Sequence, residues 1–202
     1  LPDSTMQSIA EQHNLSETAF LVREGIDHFH LRWFTPTKEV QLCGHATLAS
    51  AYALDYLGHW AGERLTFDTA SGPLYVTRDG DRYRIEFPAV FMDEVDTPDE
   101  VAAALGVSVV RSFQPSNGAW QMVCELADEA ILKACSPDFS ALAKATDLGV
   151  SITAPSSDVD YVSRFFIPQL GINEDPVTGS AHCQLVPFWA ARLSKTALRA
   201  RQ

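Results

Sequence analysis

The sequence has no run of about 18 apolar residues, so nothing in it reads as a membrane-spanning helix. It has no basic excess either. Fifteen Lys and Arg stand against 26 Asp and Glu, a formal net charge of −11. That balance argues against a nucleic-acid partner, because binding phosphates requires a basic face. The CxxC spacing of a structural zinc site is absent: Cys43, Cys124, Cys135 and Cys183 stand apart. In a chain of this size they read as thiols in a reducing compartment, with the cytoplasm as the expected location. The opening residues LPDSTMQS are neither basic nor apolar enough for a signal peptide. No GxGxxG follows a strand, and no GxxxxGK[ST] or HExxH occurs, so no cofactor is expected. What is present is 202 residues, 46% apolar and 20% charged. That is enough for a folded core, in one domain or two small ones.

Periodicity and turn residues predict helices over 2–13, 44–57, 97–105, 138–146 and 181–193. Thr97 is expected to cap the third of these and Asp138 the fourth. Strands are predicted over 18–22, 29–34, 65–68, 74–77, 83–87, 109–113, 120–126, 150–153 and 161–167. Asp79-Gly80-Asp81 reads as a hairpin turn. Strands and helices mix without strict alternation, which predicts an α+β fold. The acidic, proline-containing stretch 92–100 is the best candidate boundary, giving domains 1–92 and 93–202.

One internal echo is visible. RWFTP at 32–36 and RFFIP at 164–168 each end a predicted strand. Each is followed by a loop with acids, Lys38-Glu39-Val40 or Asn173-Glu174-Asp175. A glycine then opens an apolar helix, Gly44-His45-Ala46 or Gly179-Ser180-Ala181. A helix N-terminus carries unpaired N–H groups and a partial positive charge. A glycine there lets an anion approach closely. Two such ends with carboxylates beside them would combine anion binding with acid–base chemistry. The bland alternative is two tight turns, with Asp175 as a capping acid.

HNLSETAF at 13–20, FHLRWFTP at 29–36, LCGHATLASAYAL at 42–54 and EDPVTGSAHCQLVPFW at 174–189 carry a family resemblance. In wording and order they resemble the phenazine-biosynthesis PhzF family. The resemblance implies the diaminopimelate-epimerase-like fold: two pseudo-equivalent halves, each a barrel-like, mostly antiparallel sheet around a central helix. The helices opened by Gly44 and Gly179 would be those central helices, and their apolar composition predicts burial all round. The resemblance also implies a cofactor-free isomerase acting by proton transfer on a small carboxylate-bearing substrate. Glu17 would be the general acid/base, with His45, Asp175 and Ser180 as its partners. Backbone N–H groups of Gly44, His45, Gly179 and Ser180 would hold the substrate carboxylate, and Thr178 could donate to it. A homodimer is implied as well. Relatives begin with a strand ahead of Leu1 and continue past Gln202 with a glycine-rich strand pair. On that comparison the two halves read as truncated at both ends, or as completed by a partner chain.

Other residues are weighed beside these. Proton-moving racemases of this fold place one thiol before each glycine turn. Cys43 occupies the first such position and Thr178 the second. A threonine hydroxyl is no thiolate-like base, which leaves a one-cysteine racemase or epimerase as the alternative enzyme. A non-catalytic binding protein is the third reading. Glu17, His45, His182 and Asp175 could be drawn as a metal site, but spacing supports it weakly and the resemblance speaks against it, so no metal is expected. His182 reads as a supporting or core residue, and His28, His30 and His59 as surface. Substrate identity lies with loops such as 114–120.

Overall fold

Pro2, held extended, sets the backbone for α1 (Asp3–His13), which Asn14 closes in the left-handed region at φ 50°. Met6 and Ala10 form its buried side. The computed structural model describes residues 1–115 and 121–202; the expected strand start at Trp120 and most of the loop 114–120 lie outside the described residues. By internal contacts the chain divides into two units, Leu1–Pro88 and Ala89–Gln202.

In the first unit α1 is followed by β1 (Thr18–Gly25), β2 (His28–Phe34), β3 (Glu39–Val40), α2 (Gly44–Tyr56), β4 (Arg64–Asp68), β5 (Leu74–Asp79) and β6 (Arg82–Glu86). The sheet order is β1-β2-β4-β5-β6, with β3 paired to β2. Only β2 and β4 run parallel. Along β2 the side chains alternate. Phe29, Leu31 and Trp33 are buried, while His28, His30 and Arg32 point outward, as period two requires. The inner face packs with Leu65, Phe67, Leu74 and Val76 against Ala46, Ala51 and Leu54 of α2. Asp55 ties the far end of α2 to the sheet. It accepts from Arg78 at 2.7 and 3.1 Å and from the Tyr83 hydroxyl at 2.8 Å. These partners hold its carboxyl below the usual range.

In the second unit the order is β7 (Met92–Val95), α3 (Asp99–Leu105), β8 (Arg111–Pro115), β9 (Gln121–Glu125), α4 (Glu129–Ala134), α5 (Phe139–Ala145), β10 (Gly149–Pro155), β11 (Tyr161–Ile167), β12 (Ile172–Asp175), α6 (His182–Leu193) and β13 (Ala200–Arg201). Short 3₁₀ turns cover Pro168–Leu170 and Gly179–Ala181. The sheet runs β12-β11-β10-β9-β8-β7, with β13 paired to β11. Both faces are covered. Met122, Cys124, Ile152, Val162 and Phe166 pack with Val101, Leu105, Leu132 and Leu142 of α3, α4 and α5. Phe113, Val123 and Tyr161 pack with Leu185 and Trp189 of α6. Trp189 donates its indole N–H to Thr153 at 3.0 Å, and Thr153 donates to the Val162 carbonyl at 2.8 Å, so a buried hydroxyl is fully used.

The sequence echo is also an echo of topology. β2 pairs antiparallel with the strand before it and with the two-residue β3 after it. It pairs parallel with β4, which arrives after the helix. β11 pairs antiparallel with β10 and with the short β12, and parallel with β13, which arrives after α6. The side chains repeat too. Arg32 donates to Glu39 through two bonds of 2.7 Å, and Arg164 to Glu174 through bonds of 2.7 and 2.8 Å. Each guanidinium also lies over the phenylalanine two residues on, Phe34 at 5.1 Å and Phe166 at 5.0 Å.

The α+β reading holds, with two mostly antiparallel sheets and their helices. Three local expectations are corrected. The apolar composition of α2 predicts burial all round, yet Ala49, Tyr52, Ala53 and Tyr56 are exposed, because the sheet of this unit covers only one side of the helix. Val186 of α6 is exposed as well. Thr97 does not cap α3; its hydroxyl is bonded to Ser112 at 2.7 Å, and Pro98 precedes the helix. The six-residue α4 is too short to show a period and was not expected. Its cap is Asp128, which accepts from the Ile131 amide at 2.8 Å. Asp138 caps α5 in the same way, accepting from the Ala141 amide at 2.9 Å.

Gly149 begins β10 where a Cβ would meet the Phe165 ring at 2.4 and 2.8 Å. That ring is buried at 3% exposure and has little room to retreat. Gly149→Ala is expected to cost about 1–3 kcal/mol through overpacking. Urea unfolding checks this; an unchanged midpoint would mean that the ring moves freely.

Candidate functional site

The acid/base candidates of the first unit are gathered at the start of α2. Glu17 lies just before β1, and His45 is the second residue of the helix. The Glu17 Oε2 is 3.1 Å from the His45 Nε2. The Glu17 side chain is 17% exposed and that of His45 55%. Oε2 is buried and makes no aligned hydrogen bond, so the contact has ion-pair distance without hydrogen-bond direction. Ser16 reaches the same imidazole nitrogen at 3.4 Å. Cys43 Sγ stands 3.7 Å from His45 Nδ1. One imidazole therefore faces a carboxylate, a hydroxyl and a thiol.

Cys43 is extended (φ −145°, ψ 105°) and the helix begins at Gly44. No side chain caps this end, and no acid occupies the first turn. The N–H groups of its first turn thus have no helical acceptor and no bond from the cap position's side chain, which is the arrangement that attracts an anion. The Thr47 hydroxyl is spent on the Cys43 carbonyl at 2.6 Å.

In the second unit Asp175 ends β12. Its Oδ1 accepts from the Val177 amide at 3.2 Å and its Oδ2 from the Thr178 hydroxyl at 2.7 Å. This is the turn-capping role of the bland reading, and it fixes the loop ahead of Gly179 and Ser180, the first residues of the 3₁₀ turn. Gln202 adds a clamp: it donates to Thr178 Oγ1 at 3.0 Å and to the Asp175 carbonyl at 2.8 Å, and accepts from the Thr178 amide at 3.1 Å. Glu174, the neighbouring carboxylate, is committed to Arg164.

His182 starts α6, half-buried, and shares a 2.7 Å hydrogen bond through Nδ1 with the Tyr161 hydroxyl. Tyr161 in turn stacks on Trp189 at 5.7 Å. Burial lowers the His182 pKa from its ordinary 6.5 and raises that of Tyr161, so both stay neutral at neutral pH. Below pH 6.5 the unfolded chain takes up a proton at His182 that the folded chain resists. The stability contribution is therefore complete above that value and is lost as pH falls. Thermal unfolding between pH 8 and 5 should show a smaller acid loss for His182→Gln than for the unsubstituted protein; equal losses would count against this.

Ser16, Tyr161 and Gln202 were not singled out in the sequence. Ser16 adjoins Glu17 and could have been found by neighbourhood, but Gln202 meets Thr178 only through the fold. Among the described residues, Glu17, Cys43 and His45 place one ligand atom each within 4.8 Å of one another. That donor set was not the one drawn from the sequence, and it coincides with the acid/base candidates.

Two mostly antiparallel sheets of repeated topology, each interrupted by a helix entered through a glycine turn, define the class: an epimerase-type α+β fold with polar groups at its helix starts. The family model for phenazine biosynthesis-like proteins, PhzC-PhzF, matches residues 1–201, and the chain belongs to that family. It is 48% identical over 202 residues to an uncharacterized isomerase of Pseudomonas aeruginosa, covering 100% of this chain and 76% of that protein. Among solved structures, a phenazine biosynthesis PhzF-family protein of Enterococcus faecalis is 46% identical with a TM-score of 0.87, over 99% of this chain and 75% of that one. A predicted epimerase of Pseudomonas aeruginosa, 24% identical with a TM-score of 0.69 over 97% of this chain and 74% of that one, shares the fold. Among the described residues no helix is long and apolar enough to cross a membrane.

Proposed function

We propose that this chain is a cofactor-independent isomerase that relocates a proton on a small carboxylate-bearing metabolite, with Glu17 as general acid/base. One observation carries the proposal. The Glu17 carboxylate is held, largely buried, 3.1 Å from the imidazole at an uncapped helix N-terminus. A proton acceptor and an anion-attracting helix end then adjoin, as proton abstraction next to a held carboxylate requires. His45 orients Glu17, and the Gly44 and His45 amides bind the carboxylate. In the second unit Asp175 fixes the loop so that the Gly179 and Ser180 amides can bind a carboxylate, and the Thr178 hydroxyl, bonded to Asp175 and Gln202, holds that loop. The isomerase names of the relatives support the reaction class. The buried thiols Cys124, Cys135 and Cys183 support a reducing, cytoplasmic setting, and a homodimer is the expected assembly, to be checked by light scattering.

The test is proton exchange in D2O, followed by NMR with a panel of unsaturated and hydroxy carboxylic acids. Deuterium entering one compound, and no longer entering with Glu17→Gln, supports the proposal. A racemase or epimerase working through Cys43 is the second reading, favoured by the 3.7 Å approach of its thiol to His45. Exchange that survives Glu17→Gln and ends with Cys43→Ser would select it. No exchange with any acid would favour a binding protein.

A further inference from the structure

We propose that the outer face of the first sheet carries a divalent transition-metal site built by Glu24, His28 and Asp68, with His30 supporting it. The proposal is independent of the isomerase reading. His28 and His30 alternate along β2 and therefore project from the same, solvent side. Asp68 ends β4 on that side and stands in register with His30. Glu24 belongs to this face as well: Val22 stands opposite His30, and an unbroken register would set Glu24 opposite His28. The β1–β2 register passes from Arg23–Phe29 to Gly25–His28, so Glu24 is an inserted residue. The Glu24 carboxylate lies between the two imidazoles, Oε2 3.8 Å from His28 Nε2 and Oε1 3.9 Å from His30 Nδ1.

The bland account is an ordinary surface ion pair, and one detail argues against it. His28 Nε2 is approached by two carboxylates, Asp68 Oδ2 at 2.8 Å and Glu24 Oε2 at 3.8 Å. That nitrogen carries at most one N–H, which serves one carboxylate and leaves the other, half-exposed, to water. A divalent cation serves both at once. The three ligand atoms already lie within 4.8 Å of one another. Tetrahedral coordination by N and O at about 2.0–2.1 Å needs donors roughly 3.3 Å apart, within reach of side-chain rotation. The imidazole and carboxylate donors suit zinc and its first-row neighbours more than calcium or magnesium. Three protein ligands leave a fourth position for water, and His30 stands 3.9 Å from Glu24 on its far side. The nearest outward cation along β2, Arg32, is already neutralised by Glu39 and Asp3 and does not oppose a metal charge. His28 binds through Nε2 as neutral imidazole, giving up its bond to Asp68.

Calorimetric titration of the whole chain with Zn²⁺ tests this. Saturable binding is expected, weakened about 10-fold or more by His28→Ala and by Glu24→Gln. Both side chains lie outside the core, and thermal unfolding verifies that each variant folds. Binding in Glu17→Gln should match the unsubstituted protein. No binding would overturn the proposal. So would an affinity unchanged in His28→Ala and Glu24→Gln but lost in Cys43→Ser, which would move the metal to the thiol–imidazole group at α2.

Discussion

Glu17→Gln is expected to lower turnover on the order of 10²–10⁴-fold while leaving the fold intact. The side chain is partly exposed, and its partner His45 lies at a helix end, away from the apolar core. Glutamine is nearly isosteric and keeps the contact with the imidazole, but it cannot accept and return a proton near neutral pH. The loss should therefore fall on kcat, with KM little changed, because the carboxylate-binding amides are untouched. Steady-state kinetics on whichever acid shows exchange, together with a melting curve, separates this from unfolding. A variant keeping more than about a tenth of the parent kcat would remove Glu17 from the proton-transfer role.

The second large effect is structural. Arg164→Ala is expected to cost about 2–3 kcal/mol, against about 1 kcal/mol or less for Arg32→Ala, although the two residues occupy echoed positions. Each makes a two-pronged pair with a glutamate. Arg164 does more: it also donates to the carbonyls of Leu132 at 3.1 Å and Cys135 at 2.6 Å, closing the C-terminal end of α4. Removing it deprives the Cys135 carbonyl and Glu174 of their side-chain donor and leaves the Leu132 carbonyl with the Cys135 amide at 3.3 Å, and only part of that loss is recovered by water. Arg32 instead pairs with two carboxylates, Glu39 and Asp3, the latter 77% exposed, so solvent replaces most of what is lost. Urea unfolding of both variants decides this; equal costs would mean that the α4 carbonyls are solvated without Arg164.

Legibility followed length and environment. β11 was read to the residue because Tyr161–Ile167 is nearly continuously buried and correspondingly apolar. β3, β7, β12 and β13 are two to four residues long, too short for any period, and they pair only because a longer strand lies beside them. The exposed half of α2 was misread because its alanines and tyrosines are apolar on every side, so composition could not say which side the sheet would cover. At the candidate site, the glycine turns ahead of α2 and α6 were legible from the repeat, and Glu17 was singled out by the family wording. The approach of Glu17 to His45 was not, since it depends on where β1 begins relative to α2. Thr97 looked like a cap until Ser112, on another strand, took its hydroxyl.

The repeated strand pattern also orders how each half can assemble. β1 and β2 meet through a two-residue connection, whereas β4 reaches β2 only after the thirteen-residue α2 has intervened. β13 reaches β11 likewise only after α6. Hairpin closure takes microseconds, while parallel pairing of sequence-distant strands carries the loop entropy of everything between them. In each half the central helix is thus a kinetic gate: the sheet becomes whole only once that helix has docked and delivered the strand behind it.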